Sequence, residues 1–479
     1  MTRNCSSLRI LHSNDIHSHF ERMPRIASLF NRLRDEAGAE RTLTLDIGDH
    51  MDRMRPETEG TQGAANIDVL EATGYDAITL GNNEGLTFTA DVLQERYGEE
   101  HGFRVVLANM YEAAAGRLPE WASPSCILTR QGVRIGLIGV TADFSDFYSL
   151  LGWHMLDPME QVERWVKELR PEVDVLIVMS HLGLRKDEWM ASHIDGIDVI
   201  LGGHTHHLLE EPLRIGGALV CAAGKFGQYV GVVDLEVEPG RGVVHAEGRV
   251  LPVDGESPDP GIADIIERRA AEASRVLERE VAKLASPLPS EWDRESPLGN
   301  VLAAGLRRWV GADIGLVNAG QLLEGLPAGT VTASDLLRLC PSPINPCRMR
   351  LTGGQLLQAL EESLLPEYTG KPIYGFGFRG KVLGTLCVDG LTVEYDPAGP
   401  ELGKIRSVLV GDRPLELEAS YKIGTIDMFT FGIGYMSISQ GTEVEYYLPE
   451  FLRDVLLREL NDAQGLKDST RMRWKKVKI

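Results

Sequence analysis

A chain of 479 residues exceeds the ~250–300 at which a single hydrophobic core stops growing, so at least two domains are expected. With 43% hydrophobic and 25% charged residues it is neither disordered nor fibrous. Lys plus Arg total 49 against 70 for Asp plus Glu, a net charge of −21 that disfavours nucleic acid and anionic membrane as partners.

Up to about residue 250, short Val, Ile and Leu runs recur, each ending in a polar cluster: LRIL, TLTLDI, DAITL, RVVLA, RIGLIGV, VDVLIVM, DVIL and ALVCAA. Helical patterns lie between several of them, such as PRIASLFNRLRDEAG and DPMEQVERWVKELRP, the second opening with Asp157 and Pro158 as cap and first turn. Strands alternating with helices predict a layered α/β domain. Around LPVDGESPDPG the composition shifts to Pro, Gly, Asp and Ser, and IADIIERRAAEASRVLEREVAKL then runs without a breaker, predicting a long connecting helix. After residue 287, helical segments (NVLAAGLRRWVG, ASDLLRL, TGGQLLQALEESL) come before strand segments (VDGLTVEYD, IRSVLVG, YKIGTID), which predicts a separate α+β domain.

Six cysteines, Cys5, Cys126, Cys221, Cys340, Cys347 and Cys387, form no regular framework and predict reduced thiols. The first residues lack the apolar stretch of a signal peptide, and no segment approaches ~20 apolar residues. A cytoplasmic protein is expected.

Five polar clusters each follow an apolar strand: Asp15-Ile16-His17, Gly48-Asp49-His50, Gly81-Asn82-Asn83, Ser180-His181 and Gly203-His204-Thr205-His206. Ligands of open α/β sheets bind beyond the carboxyl ends of strands, so the five can converge despite their separation. Singly, each is an ordinary turn or cap. Together they mix carboxylate, carboxamide and imidazole donors, a set that suits Mn, Zn, Fe or Co better than Mg alone.

The order NDIHSH, DIGDH, LGNNE, SHLG, GGHTH resembles the calcineurin-like metallophosphoesterases, and with the connector, DIGLVNAGQL and KIGTIDMFTFGIGY it is similar to the two-domain 5'-nucleotidase and UDP-sugar hydrolase family. The resemblance implies a four-layer α/β/β/α catalytic domain over 1–255, a connecting helix over 256–286 and a substrate-binding α+β domain over 287–479. It implies one divalent cation on Asp15, His17, Asp49 and His206, and a second on the bridging Asp49 with Asn82, His181 and His204. The implied activity is hydrolysis of nucleotides or nucleotide sugars by in-line attack of a hydroxide bridging the two cations. The partner is then a small-molecule phosphate, a nucleotide first of all.

Two departures stand out. The family carries His after its metal-binding Asn, often with Asp three residues later, where this chain has Asn83 and Leu86. Asn83 can donate a hydrogen bond to a phosphoryl oxygen but carries no titratable proton, so an alkoxide leaving group, as in AMP, suffers more than a phosphate leaving group. His19, His50 and His207 are candidate substitutes. On the substrate side, Leu323 stands where the family has Arg, and Thr385 and Met428 where it has two aromatic rings. Phe429, Phe431 and Tyr435 are candidate replacement rings, and Arg348, Arg350, Arg379 and Lys381 candidate phosphate contacts. Alternative readings are a phosphodiesterase, a non-nucleotide monoesterase, or a protein that keeps its metals with reduced turnover.

Overall fold

The computed structural model describes residues 5–477. The chain divides into two compact units, the first ending at Ser274 and the second beginning at Arg275.

The first unit contains two sheets. A seven-stranded sheet has the order Gly242–Pro252, Tyr229–Glu238, Ser6–Ser13, Thr42–Asp46, Ala77–Ile78, Arg104–Val106, Ala122–Ser123; a six-stranded sheet has the order Leu213–Ile215, Ala218–Cys221, Val199–Gly202, Val175–His181, Val133–Thr141, Ser125–Arg130. Successive side chains on a strand point to opposite faces, and here both faces are apolar. Ile10, Leu45, Ile177 and Met179 pack in one core with residues of both sheets, while Leu11 joins helix residues such as Ile26 and Phe30 on one outer face, and Leu176 and Val178 join Val162 and Met190 on the other. Helix, sheet, sheet, helix are the four layers expected.

Ser6–Ser13, Thr42–Asp46 and Ala77–Ile78 run parallel, as do Val133–Thr141, Val175–His181 and Val199–Gly202. The carboxyl ends of five of these six strands carry the five polar clusters. Helix Pro158–Leu169 starts as its sequence requires, with the Asp157 carboxylate accepting from the Met159 and Glu160 N–H groups.

The predicted connector differs from its sequence reading. Its helix covers Pro260–Leu277, and Glu280–Leu284 is a strand paired antiparallel with Gly329–Thr332. No Gly or Pro marks the change; instead Ala282 and Leu284 are buried in the second unit's core with Lys283 exposed between them, the alternation of a strand.

The second unit is α+β, but helices and strands are interleaved. Helices Pro297–Trp309, Ala333–Leu339 and Gly353–Glu362 are interspersed with strands Ile314–Asn318, Gly329–Thr332 and Pro346–Thr352. A five-stranded sheet, in the order Leu386–Asp389, Ile314–Asn318, Ser420–Ile426, Pro346–Thr352, Thr442–Tyr446, lies beside a four-stranded one.

Candidate metal centre

The site begins with backbone. Asp15, His17, Asp49, His204 and His206 all have left-handed φ, at 51°, 48°, 50°, 73° and 58°. Such φ costs a non-glycine residue on the order of 1 kcal/mol, so the surroundings must enforce it. Neighbouring loops do so by direct pairing: Asp15 N–H donates to Gly48 O at 3.0 Å, His17 N–H to Asp49 O at 2.9 Å and Ser18 N–H to His50 O at 2.8 Å. The buried Glu84 carboxylate accepts from the N–H groups of Asp49, Met51 and Gly81 at 3.1, 2.7 and 2.9 Å. The glycines of the second and third clusters meet here. A Cβ on Gly81 would lie 2.1 Å from Asp49 Oδ1, and one on Gly48 would lie 2.4 Å from Gly81 N.

Side chains from all five clusters converge. His17 Nε2 lies 3.1 Å from His206 Nε2, 3.7 Å from Asp49 Oδ2 and 3.9 Å from Asp15 Oδ1, and His206 Nε2 lies 3.5 Å from Asp15 Oδ1. His181 Nε2 is 3.4 Å from Asp49 Oδ1, and its ring neighbours that of His204 at 5.3 Å. His204 Nδ1 in turn lies 2.8 Å from Asn82 Oδ1. The donor atoms of Asp15, His17 and His206, and those of Asp15, Asp49 and His181, fall within 4.8 Å of one another. These residues fit divalent cations: His181 Nδ1 donates to Ile47 O at 2.7 Å, which turns Nε2 toward Asp49, where it is buried without a hydrogen-bond partner.

Charge in the cluster is strongly redistributed. Burial raises the Asp15 carboxyl to about 6 against the pull of His181. Burial would also raise Asp49, but His181 and His17 beside it hold it well below the usual carboxylate range. Burial would lower His181, yet Asp49 and Asp15 carry it up to about 10. The carboxylates that favour a proton on Nε2 would equally favour a cation there. Burial, together with His181 and His17 respectively, lowers His204 to about 4 and His206 to about 3, leaving both imidazoles neutral at pH 7, the form that can ligate a cation.

Asn83 is not where a phosphoryl contact is expected. It is 9% exposed, its N–H donates to Asp49 Oδ1 at 2.8 Å, and its Nδ2 lies 3.0 Å from Met51 O and 2.9 Å from His17 Nδ1. Leu86 packs against the apolar core of the outer face. His50 is buried against Asn66, and burial lowers it to about 3. His19 is held by Glu21 at 2.6 Å, and His207 lies on Thr205 Oγ1 at 2.9 Å.

Several residues around the site were not singled out in the sequence. Asn14 Nδ2 donates to Asp15 Oδ2 at 2.7 Å, and Asp52 Oδ2 lies 3.5 Å from His17 Nδ1. Phe226 sets its ring against His17, His19 and His206, with Lys225 Nζ 4.7 Å above it, and Phe144 sets its ring against His204. A second acid three residues after Asp49, in GDHMD, is the one signal the sequence carried for Asp52; AGKFGQ carried none.

In the second unit the predicted rings part company. Phe429 is fully buried and packs edge-to-face with Tyr435, itself buried, so neither offers a ring face at the surface. The cause is the short helical turn Asp427–Phe431, which turns Phe429 inward and Phe431 outward. Phe431 is 41% exposed and faces Phe376, 52% exposed, with ring centroids 6.0 Å apart and 32° between planes. Thr385 and Met428 are buried. Arg348 is paired with Glu445, and Arg350 with Glu443 at 2.7 Å, which removes both as ready phosphate contacts. Arg379 is half-buried with its N–H on Ser342 Oγ at 3.1 Å, and Lys381 is exposed.

Comparison with known proteins agrees with this architecture. Residues 8–208 match the calcineurin-like phosphoesterase family, and residues 277–438 match the 5'-nucleotidase C-terminal domain. The chain is 36% identical over 460 residues to the uncharacterized metallophosphoesterase YunD of Bacillus subtilis, covering 95% of this chain and 99% of that one. It is 24% identical over 506 residues to the 5'-nucleotidase of Vibrio cholerae, covering 90% and 86% of the two chains. The 5'-nucleotidase precursor of Thermus thermophilus shares the fold, with a TM-score of 0.61 at 24% identity over 99% of this chain and 100% of that one. The protein therefore belongs to the calcineurin-like metallophosphoesterases with a 5'-nucleotidase-type C-terminal domain, a family of metal-dependent phosphoester hydrolases.

Proposed function

We propose that the protein hydrolyses nucleotides or nucleotide sugars with two divalent cations, and that it prefers phosphoanhydride bonds to the phosphomonoester of AMP. Asp15, His17, Asp49 and His206 would hold one cation, and Asp49, Asn82, His181 and His204 the other, with Mn, Zn, Fe or Co suited to the donors. Bound there, the cations supply Lewis acidity and water activation for displacement at phosphorus.

The observation that carries the anhydride preference is the placement of Asn83. Its amide is engaged with His17 and Met51, and it carries no titratable proton to give a leaving group. Loss of general-acid help typically costs ~10²–10⁴-fold for a poor leaving group and far less for phosphate, already a stable anion. The segment 287–479 is assigned to substrate binding, with Phe376 and Phe431 as a stacking surface for a base and Arg379 as a phosphate donor. The segment 256–286 serves as the connector and 1–255 as the catalytic domain. The cytoplasm is the assigned compartment, supported by six free and scattered cysteines.

The test is turnover of AMP, ADP, a UDP-sugar, a cyclic nucleotide and an activated aryl phosphate by purified protein with Mn²⁺. Faster cleavage of ADP or the UDP-sugar than of AMP is expected. AMP as the best substrate would refute the leaving-group argument. The burial of Phe429, Thr385 and Met428 favours one competing reading, a phosphodiesterase or non-nucleotide monoesterase, which would turn over only the cyclic or aryl compound.

A further inference from the structure

The two ring nitrogens of His17 face different neighbours. Nε2 points to His206, Asp49 and Asp15, whereas Nδ1 points to Asn83 Nδ2 at 2.9 Å and Asp52 Oδ2 at 3.5 Å. A neutral imidazole carries one proton, and only with that proton on Nδ1 is the Nε2 lone pair free to ligate.

The two neighbours of Nδ1 ask for opposite tautomers. The Asn83 atom nearest the ring is its amide nitrogen, because the same nitrogen donates to Met51 O at 3.0 Å and a turned amide would set carbonyl against carbonyl. A donor at this distance suits a bare Nδ1, with the proton on Nε2. Asp52 is an acceptor and suits Nδ1–H. It is 3% exposed and firmly placed: its N–H donates to Ser18 Oγ at 2.8 Å, and its Oδ1 accepts from Met54 N–H at 3.0 Å, so Oδ2 is the oxygen turned to the ring.

We propose that Asp52 and Asn83 are opposed positioning residues that set the tautomer of His17, Asp52 favouring the ligating form and Asn83 the other, and that together they tune the affinity of the cation held by Asp15, His17 and His206. The inference rests on the metal-site reading above. A carboxylate behind a ligating imidazole orients the ring and fixes its proton, and removing such a partner typically costs ~10–100-fold in metal affinity. Removing Asn83 removes a donor that opposes the ligating tautomer. The two substitutions therefore act with opposite signs, which a general weakening of the fold cannot produce.

The experiment is Mn²⁺ titration by calorimetry of the metal-free full-length chain. Asp52→Asn should weaken one of two binding steps by ~10–100-fold and spare the other. Asn83→Ala should tighten that same step several-fold, and the double variant should fall between. Melting curves without metal check folding, and Asn83→Ser serves if Asn83→Ala unfolds. Unchanged affinity in Asp52→Asn, or weakening by both Asn83 variants, would overturn the inference. A wild-type chain that binds no Mn²⁺ would overturn the metal-site reading and this inference with it.

Discussion

The candidate metal donors of the first unit and the aromatic pair of the second were built under different constraints. In the first, every candidate donor is fixed by strand ends, loop-to-loop hydrogen bonds and left-handed backbone, and the donors converge as their sequence order implies. In the second, rings lie on short turns, and two residues of helical twist separate buried Phe429 from exposed Phe431. Chemistry that needs several donors within a few ångströms is overdetermined by its surroundings. A stacking surface needs only an exposed ring, and many positions can supply one.

Breaking the first region should have the largest effect. Asp49→Asn removes a charge shared by both predicted cations, and kcat should fall by ~10³-fold or more, with fewer than two Mn²⁺ retained by elemental analysis. Chelation should abolish turnover reversibly and lower the melting temperature, since cation at 100 times its Kd stabilises by about 2.7 kcal/mol. A melting curve indifferent to chelator would argue against a bound-metal resting state.

The second region separates by residue. Phe431→Ala and Phe376→Ala should each raise KM for nucleotides by the ~1–3 kcal/mol of one stacked base, with the aryl phosphate unaffected. Phe429→Ala should instead cost ~3–5 kcal/mol of stability by denaturant unfolding, as a core truncation. A stability loss in Phe431→Ala equal to that in Phe429→Ala would erase the distinction.

The smallest effect concerns pH. Burial pushes the Asp427 carboxyl up to about 7, above the ~3.9 of an unfolded chain. The folded state thus binds this proton more tightly, so its contribution is fully present below the unfolded value and is lost as pH rises through about 7. Asp427→Asn should match wild type in melting temperature near pH 4 and exceed it by several degrees at pH 8.

Much of the fold was legible because its signals are local and repeated. Apolar runs ending in polar clusters gave the parallel strands, and Asp157-Pro158 gave a helix start that the structure reproduces. The end of the long helix was missed because Glu280–Leu284 carries no breaker, and only pairing with Gly329–Thr332 makes it a strand. The interleaving of the second unit was missed for a related reason: DIGLVN and PCRMRLT are short, and short apolar runs fit helix or strand equally.

By itself, the sequence determined the set and order of metal-type donors, and the glycines that let their loops close, because residue type fixes which atoms can ligate and which positions tolerate close approach. Tertiary structure alone decided what each side chain faces. Asn83 looked like a substrate contact until the fold set its amide on His17, and Phe429 looked like a base clamp until the core enclosed it. Direction depends on neighbours distant in the chain, and no local pattern of residues encodes it.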